Sequence, residues 1–269
     1  MTPRDFEKIK VAREGAAVVV TLFNPERRNA IGPLMTNELL YVIDDARADE
    51  DVRVIVITGE GKAFCAGGDF GAMPAASAHL EATDGAKHVL VTKGDYADLL
   101  LALANCDKPV LAKVNGAAMG GGLGIVAACT YAIASSEAQL GTPEINVGLF
   151  PMMIMAVLSR IVPRRRLMKM MLLGEKMSAD EAMKVGIVGE VVPPAELDAT
   201  VSNMVLALAS KSPSTIRLGL RAFAEQDDLD LEAALPLLRT RLGDVLATDD
   251  AREGLMAFLE KRTPKWTGK

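Results

Sequence analysis

The stretch Lys108–Gly124, KPVLAKVNGAAMGGGLG, decides how this chain is read. Val110–Val114 is an apolar run short enough for a buried strand, and it is followed by a glycine-rich bend and the first turn of a helix built from small residues. Gly120, Gly121 and Gly122 leave backbone N–H groups uncovered by side chains just where that helix begins. Such a terminus carries unpaired donors and a partial positive charge, so it suits an anion, or an oxygen that becomes one during a reaction. The stretch reads as half of an oxyanion site.

Upstream, Val52–Thr58 (VRVIVIT) is a continuous β-branched run, the mark of a strand covered on both faces. A loop dense in glycine, Gly59–Gly71, follows it and contains Cys65-Ala66-Gly67-Gly68-Asp69. Earlier still, Phe6–Val11 and Ala16–Phe23 predict a hairpin about Arg13-Glu14-Gly15, stopped by Asn24-Pro25. Pro33 opens a helix to about Ala48 that sets Leu34, Leu39, Leu40, Ile43 and Ala46 on one face. Met73–Gly85 has no clear period and predicts a mobile surface segment near the site, before a helix from about Lys87 to Cys106.

Downstream, the pattern predicts a helix over Gly122–Cys129, strands at Tyr131–Ala134 and Gln139–Gly141, and a helix over Leu149–Ile161 with Pro151 in its first turn. Pro163 separates that helix from Arg164–Leu173. Ser178 and Glu181 form a capping box for a helix to Lys184, and Val188–Val192 is a strand closed by Pro193-Pro194. Four helices then follow, over Ala195–Ser210, Pro213–Glu225, Leu231–Ala247 and Asp250–Lys261. The expected architecture is an α/β core over 1–193 with a helical C-terminal region over 194–269, joined without a long linker. Met168–Met171, with Met152, Met153 and Met155, reads as core filler.

Composition narrows the function classes. The 269 residues are half apolar and about a quarter charged, enough for a sizeable core. A net charge of −5 argues against a general nucleic-acid binder, and Arg164–Arg166 reads as a solvated helix face. Three cysteines without a CxxC pairing suggest free thiols in a reducing compartment, with no zinc site. With two histidines, His79 and His88, a histidine metal cluster or a serine–histidine triad has little to draw on. The charged start MTPRDFEKIK lacks the apolar core of a signal peptide. Val114–Ser136 is uncharged, yet Asn115, the glycines and Ser135-Ser136 make it a poor membrane helix. A cytoplasmic protein is expected.

Two glycine loops thus follow two buried strands: Ala66-Gly67-Gly68 and Gly120–Gly122. If the strands are neighbours, the Gly68 and Gly121 N–H groups can meet at one oxygen and stabilise the enolate of a thioester; one such donor is worth about 3–4 kcal/mol in the transition state. Gly141-Thr142-Pro143-Glu144-Ile145 supplies a carboxylate beside an apolar run, where partial desolvation lifts a pKa toward working pH. Taken singly, the glycines read as tight turns and Glu144 as a helix-start or surface residue.

In this order and spacing the motifs resemble the crotonase superfamily, the enoyl-CoA hydratase/isomerase family. Its A-F-x-A-G-x-D motif matches Ala63–Asp69, N-G-x-x-x-G-G-G matches Asn115–Gly122, and G-x-P-E matches Gly141–Glu144. An N-terminal N-P-x-x-x-N-A matches Asn24–Ala30, and R-E-G-x-x-A-F-x-E-K-R matches Arg252–Arg262. The resemblance implies a crotonase-like spiral of β-β-α turns with C-terminal helices that form homotrimers, often paired into hexamers. It implies an acyl-CoA thioester as ligand, with coenzyme A part of the substrate and no permanently bound cofactor. Gly68 and Gly121 would be the oxyanion donors and Glu144 the acid/base. Ala66, Gly68, Asp69, Phe70 and Gly71 would line the CoA path, Arg27, Arg28 and Ala30 would meet its nucleotide end, and Phe258 and Lys261 would approach from a C-terminal helix, sometimes a neighbour's.

Departures from the family pattern bear on the reaction. Hydratases of the family hold water between two glutamates, and the first of these positions is Gly124 here. A single glutamate suits Δ3-Δ2 isomerisation, in which one base moves a proton from C2 to C4. Dienoyl-CoA isomerases carry a carboxylate where this chain has Met152, and Met152-Met153-Ile154-Met155 implies a narrower or more apolar acyl pocket. Gly71 stands where the family often places a lysine, while Cys65 reads as a small neutral neighbour. Hydratase, isomerase and a non-catalytic CoA-binding member all remain open at this point. A dinucleotide-binding oxidoreductase, from the GxGxxA at Gly122–Ala127, is the competing class.

Overall fold

In the computed structural model, which describes residues 4–69, 71 and 90–269, the chain opens on an antiparallel hairpin of β1 (Ile9–Glu14) and β2 (Ala17–Leu22). Its turn is Gly15-Ala16, with β1 running on through Glu14, and the φ of 57° at Gly15 supplies the left-handed step. Helix α1 (Pro33–Ala48) buries Met35, Leu39, Leu40, Ile43 and Ala46, while Leu34 is half-buried at its first turn.

The β-branched run becomes β3 (Val54–Gly59), buried at every residue. Both its faces are covered because its side chains alternate between two cores: Ile55 and Ile57 join the large core with α1, and Val54 and Val56 join a smaller one with Leu197 and Val201.

From β3 onward the chain winds. β3 is followed by β4 (Ala63–Cys65) and α2 (Tyr96–Ala104); β5 (Val110–Val114) by β6 (Ala117–Met119) and α3 (Gly121–Ala128); β7 (Tyr131–Ser135) by β8 (Gln139–Gly141) and, after a 3-10 turn at Pro143–Val147, by α4 (Met152–Leu158). The first strand of each winding enters a long sheet and the second enters a short one. The short sheet also takes β9 (Lys176–Ser178), the long one β10 (Glu190–Val192), and the strand orders are β1-β2-β3-β5-β7-β10 and β4-β6-β8-β9. The pairs between windings are parallel in both sheets, as the covered, alternating strands require. The expected spiral of β-β-α turns is present.

Helices α5 (Arg164–Leu173) and α6 (Ala179–Lys184) complete the body, and the Ser178–Glu181 capping box opens α6 as read. α7 (Leu197–Ala209) covers the second face of the long sheet. α8 (Pro213–Gln226), α9 (Leu231–Leu246) and α10 (Asp249–Leu259) pack on one another as the C-terminal helical region.

Several expectations need correction. The helix expected from Lys87 begins at Tyr96, because Asp95 and Asp98 close a reciprocal capping box there. The expected helix over Leu149–Ile161 shortens to Met152–Leu158, with Pro151 ahead of it. Met170 and Met171 are core residues, but Met152 and Met153 are exposed and fill no core. The segment Met73–Gly85 lies outside the described residues, as does Phe70.

Candidate active site

The short sheet brings the three sequence motifs together. β4 and β6 are parallel neighbours with Ala63 opposite Ala117 and Cys65 opposite Ala118; β6 and β8 pair with Met119 opposite Gly141. Each strand therefore delivers its motif at the same edge: Gly68 after β4, Gly121 after β6 and Glu144 after β8. The Gly120 amide donates to the Gly141 carbonyl at 2.9 Å, which ties the second loop to the third.

Ile31 links the first two loops. Its backbone forms a parallel bridge with Gly68, while its Cγ2 lies 3.0 Å from where a Cβ on Gly121 would stand. Within that bridge the Ile31 amide donates to Gly67 and the Asp69 amide donates to Ile31. Among the described residues neither the Gly68 nor the Gly121 amide finds a backbone acceptor. Two donors on adjacent strand ends are thus left available.

The loop beneath them is held by two asparagines. Buried Asn29 sits at a φ of 58° and donates to the carbonyls of Glu60 and Ala63 at 2.9 and 2.8 Å. Asn115 donates to the Gly59 and Gly61 carbonyls and accepts from the Gly59 amide, locking the β5–β6 corner onto the β3–β4 corner. The asparagine of each motif thus serves as a scaffold that holds the loop next to Gly68 or Gly121.

Glu144 sits at the start of the 3-10 turn, where Pro143 fixes the entry. Its Oε1 lies 2.6 Å from the position a Cβ on Gly120 would take, and Gly120 has a φ of 49°. Its Oε2 is buried and, among the described residues, makes no hydrogen bond. Burial raises the Glu144 pKa above the usual carboxylate value. An unpaired buried carboxylate oxygen is costly, and this carboxylate stands against the glycine loop at Gly120.

Position 124 is closed. A Cβ on Gly124 would meet the Tyr96 hydroxyl oxygen at 2.3 Å and Ile154 Cγ2 at 2.4 Å. The Tyr96 hydroxyl donates to the Gly121 carbonyl. Burial above all, with the nearby Cys65 and Glu144, holds the Tyr96 pKa well above its usual value, so the group stays a neutral donor. Sequence reading missed Tyr96, since it lies twenty-eight residues before Gly124 and no spacing rule joins them.

Cys65 behaves as expected of a small neutral neighbour: it is buried, its Sγ faces the Gly67 carbonyl at 3.6 Å, and burial pushes the thiol up to about 11.

Arg27 reaches Asp69, with Nη1 to Oδ1 at 2.6 Å, and the Gly71 amide donates to the same oxygen at 3.1 Å. The Arg27 guanidinium lies across Gly71, so a cation does stand near the position where the lysine is missing. Arg28 is exposed at a φ of 50°, Ala30 is buried and Ala66 is half-buried beside them. Phe258 and Lys261 stand apart from this cluster, on and just after α10, and Phe258 is 81% exposed. Among the described residues no group of three His, Cys, Asp or Glu side chains is placed to hold a metal, and no helix is long and apolar enough to cross a membrane.

Known proteins resemble this chain in sequence and in fold. A sequence profile described as enoyl-CoA hydratase/isomerase matches residues 12–269. The mouse mitochondrial enoyl-CoA hydratase domain-containing protein 3 is 35% identical over 248 residues, 92% of this chain and 80% of that protein. A short-chain-enoyl-CoA hydratase of Clostridium acetobutylicum is 31% identical over 260 residues, 96% of this chain and 97% of that protein. A crystal structure of an enoyl-CoA hydratase from Mycobacterium smegmatis superposes with a TM-score of 0.85 at 32% identity, covering 97% of this chain and 99% of that one.

Proposed function

The chain belongs to the enoyl-CoA hydratase/isomerase family, and on that footing we propose that it binds an enoyl-CoA thioester and makes and quenches its enolate, with Glu144 carrying the proton. The Glu144 carboxylate takes a proton from C2 of a 3-enoyl thioester. The electron pair moves onto the thioester oxygen, which accepts hydrogen bonds from the Gly68 and Gly121 amides. Protonated Glu144 then returns the proton at C4, leaving the 2-enoyl thioester.

The buried, unpartnered Oε2 of Glu144 beside Gly120 carries this reading. Isomerisation is favoured over hydration because Tyr96 and Ile154 fill the space over Gly124, leaving no room there for a second carboxylate to hold water. Hydration is the second reading, favoured by relatives named as hydratases.

The discriminating experiment follows the protein spectroscopically with 3-hexenoyl-CoA and with crotonyl-CoA. Fast conjugation of the first with slow hydration of the second supports the isomerase. The reverse order supports the hydratase, and binding of both without turnover makes the chain a non-catalytic member.

A homotrimer, or a pair of them, is part of the same proposal. Phe223, Leu231, Leu235, Leu242, Leu255 and Phe258 are exposed apolar residues on α8–α10, which supports an association surface there. Phe258 and Lys261 would then approach a ligand from a neighbouring subunit. Light scattering on the purified protein gives the mass directly, and a monomer would remove this part of the proposal.

A further inference from the structure

Gly121 is held from two sides. Ile31 packs against its α-carbon, and the Tyr96 hydroxyl takes its carbonyl as acceptor. Tyr96 comes from α2, an element of the preceding winding, so this hydrogen bond crosses from one winding to the next. The first turn of α3 carries a single side chain, the buried Leu123, among Gly120, Gly121, Gly122 and Gly124. A glycine-rich turn has the largest conformational freedom to lose, and a single well-placed donor from outside limits it.

The ring occupies a second role through its position. Its hydroxyl and Ile154 stand where any side chain on residue 124 would begin. The two observations share one atom, the Tyr96 oxygen.

We propose that Tyr96 is a positioning residue for enolate formation: its hydroxyl fixes the first turn of α3 so that the Gly121 amide faces the thioester oxygen, and with Ile154 it fills the space over Gly124. This rests on the proposed reading of Gly121 as an oxyanion donor. The substrate class it selects is a thioester whose reaction needs one proton carrier and an anion-holding pair, with no water held over Gly124.

The test uses acetoacetyl-CoA, whose enolate absorbs distinctly from its keto form, bound to the full-length protein across a pH series. Wild type lowers the pH at which the bound ligand becomes enolate. Tyr96→Phe raises that pH again, with a loss of about three- to tenfold in enolate preference, the range of one lost hydrogen bond. Affinity for butyryl-CoA, which forms no enolate in this range, stays within twofold, and so the loss falls on kcat more than on KM for 3-hexenoyl-CoA.

Thermal melting shows whether Tyr96→Phe is folded; Tyr96→Met, which keeps a long apolar filler, is the second variant if it is not. An enolate preference equal to wild type in the folded variant overturns the role of Tyr96 alone. An equal loss of butyryl-CoA and enolate binding also overturns it, since that is general loosening. Absence of any enolate preference in wild type overturns the oxyanion reading and the Tyr96 role together.

Discussion

The Glu144 carboxylate and the α-carbon of Gly120 are in such close approach that a methyl group on the glycine would stand 2.6 Å from Oε1. At position 120 itself nothing larger than the glycine hydrogen fits beside this carboxylate.

Gly120→Ala therefore has two costs. The residue has a φ of 49°, where an L side chain is strained, and its Cβ displaces Glu144. A displacement near 1 Å in a reacting group lowers turnover on the order of 10²-fold. Steady-state kinetics with 3-hexenoyl-CoA is expected to show the loss in kcat, with the melting temperature only modestly lowered.

Glu144→Gln removes the proton carrier and keeps the shape. Turnover is expected to fall about 10²- to 10⁴-fold while CoA-thioester binding persists. In the wild type the acid limb of the pH–rate profile is expected to lie above the ordinary glutamate value of 4.5, because burial raises this pKa and the proposed base works only when ionised.

The same shift has a stability consequence of opposite sign. A carboxyl whose folded pKa exceeds its unfolded one favours the protonated fold, so stability falls as pH rises from 4.5 through the raised value. Glu144→Gln is then expected to melt higher than wild type at neutral pH, with the gain disappearing in acid below the unfolded pKa. Differential scanning calorimetry at two pH values checks both.

Gly124→Glu is expected to fail as a route to hydration. The new Cβ collides with the Tyr96 hydroxyl oxygen and Ile154 Cγ2, at 2.3 and 2.4 Å. Overpacking costs about 1–3 kcal/mol before the charge is counted. Lower melting and no gain in crotonyl-CoA hydration are the expected results; a gain would show that Tyr96 swings aside.

A second carboxylate, Asp250 on α10, is expected to contribute to acid resistance. Asp250 is 1% exposed, and burial alone would raise its pKa; hydrogen bonds from the Thr267 and Gly268 amides and the Ser212 and Ser214 hydroxyls overcome that and hold it at about 2. A lowered folded pKa gives stability that is present above the unfolded value of 3.8 and is lost as pH falls toward about 2. Asp250→Asn is expected to cost about 2 kcal/mol at neutral pH, on the basis of about 1.4 kcal/mol per pKa unit, and to erase that acid dependence in urea melts.

Much of this was legible in the sequence for a physical reason: the strands are short, buried and β-branched, and the glycine loops follow them without interruption. Val52–Thr58 and Val110–Val114 read as buried strands, and the motif order named Gly68, Gly121 and Glu144 as candidates, which the short sheet brings to one edge. What the sequence hid depends on contacts between distant segments. Tyr96 looks like any aromatic at a helix start until α2 is laid against α3. Asp250 looks like a first-turn acid until residues 267 and 268 fold back onto it. Asp95 was overlooked as a cap because the apolar pattern before it resembled more helix, and Met152 and Met153 were misplaced because apolar character does not say which helix face meets the core.

In the proposed reading each circuit of the spiral ends in one contribution to the site: an amide from the first, an amide from the second and a carboxylate from the third. The labour is thus split among segments that are separate in the gene and adjacent in space. On that reading, a change after β8 would alter what moves the proton while the proposed anion-holding pair stays untouched, so new chemistry on this scaffold would need revision of only one circuit at a time.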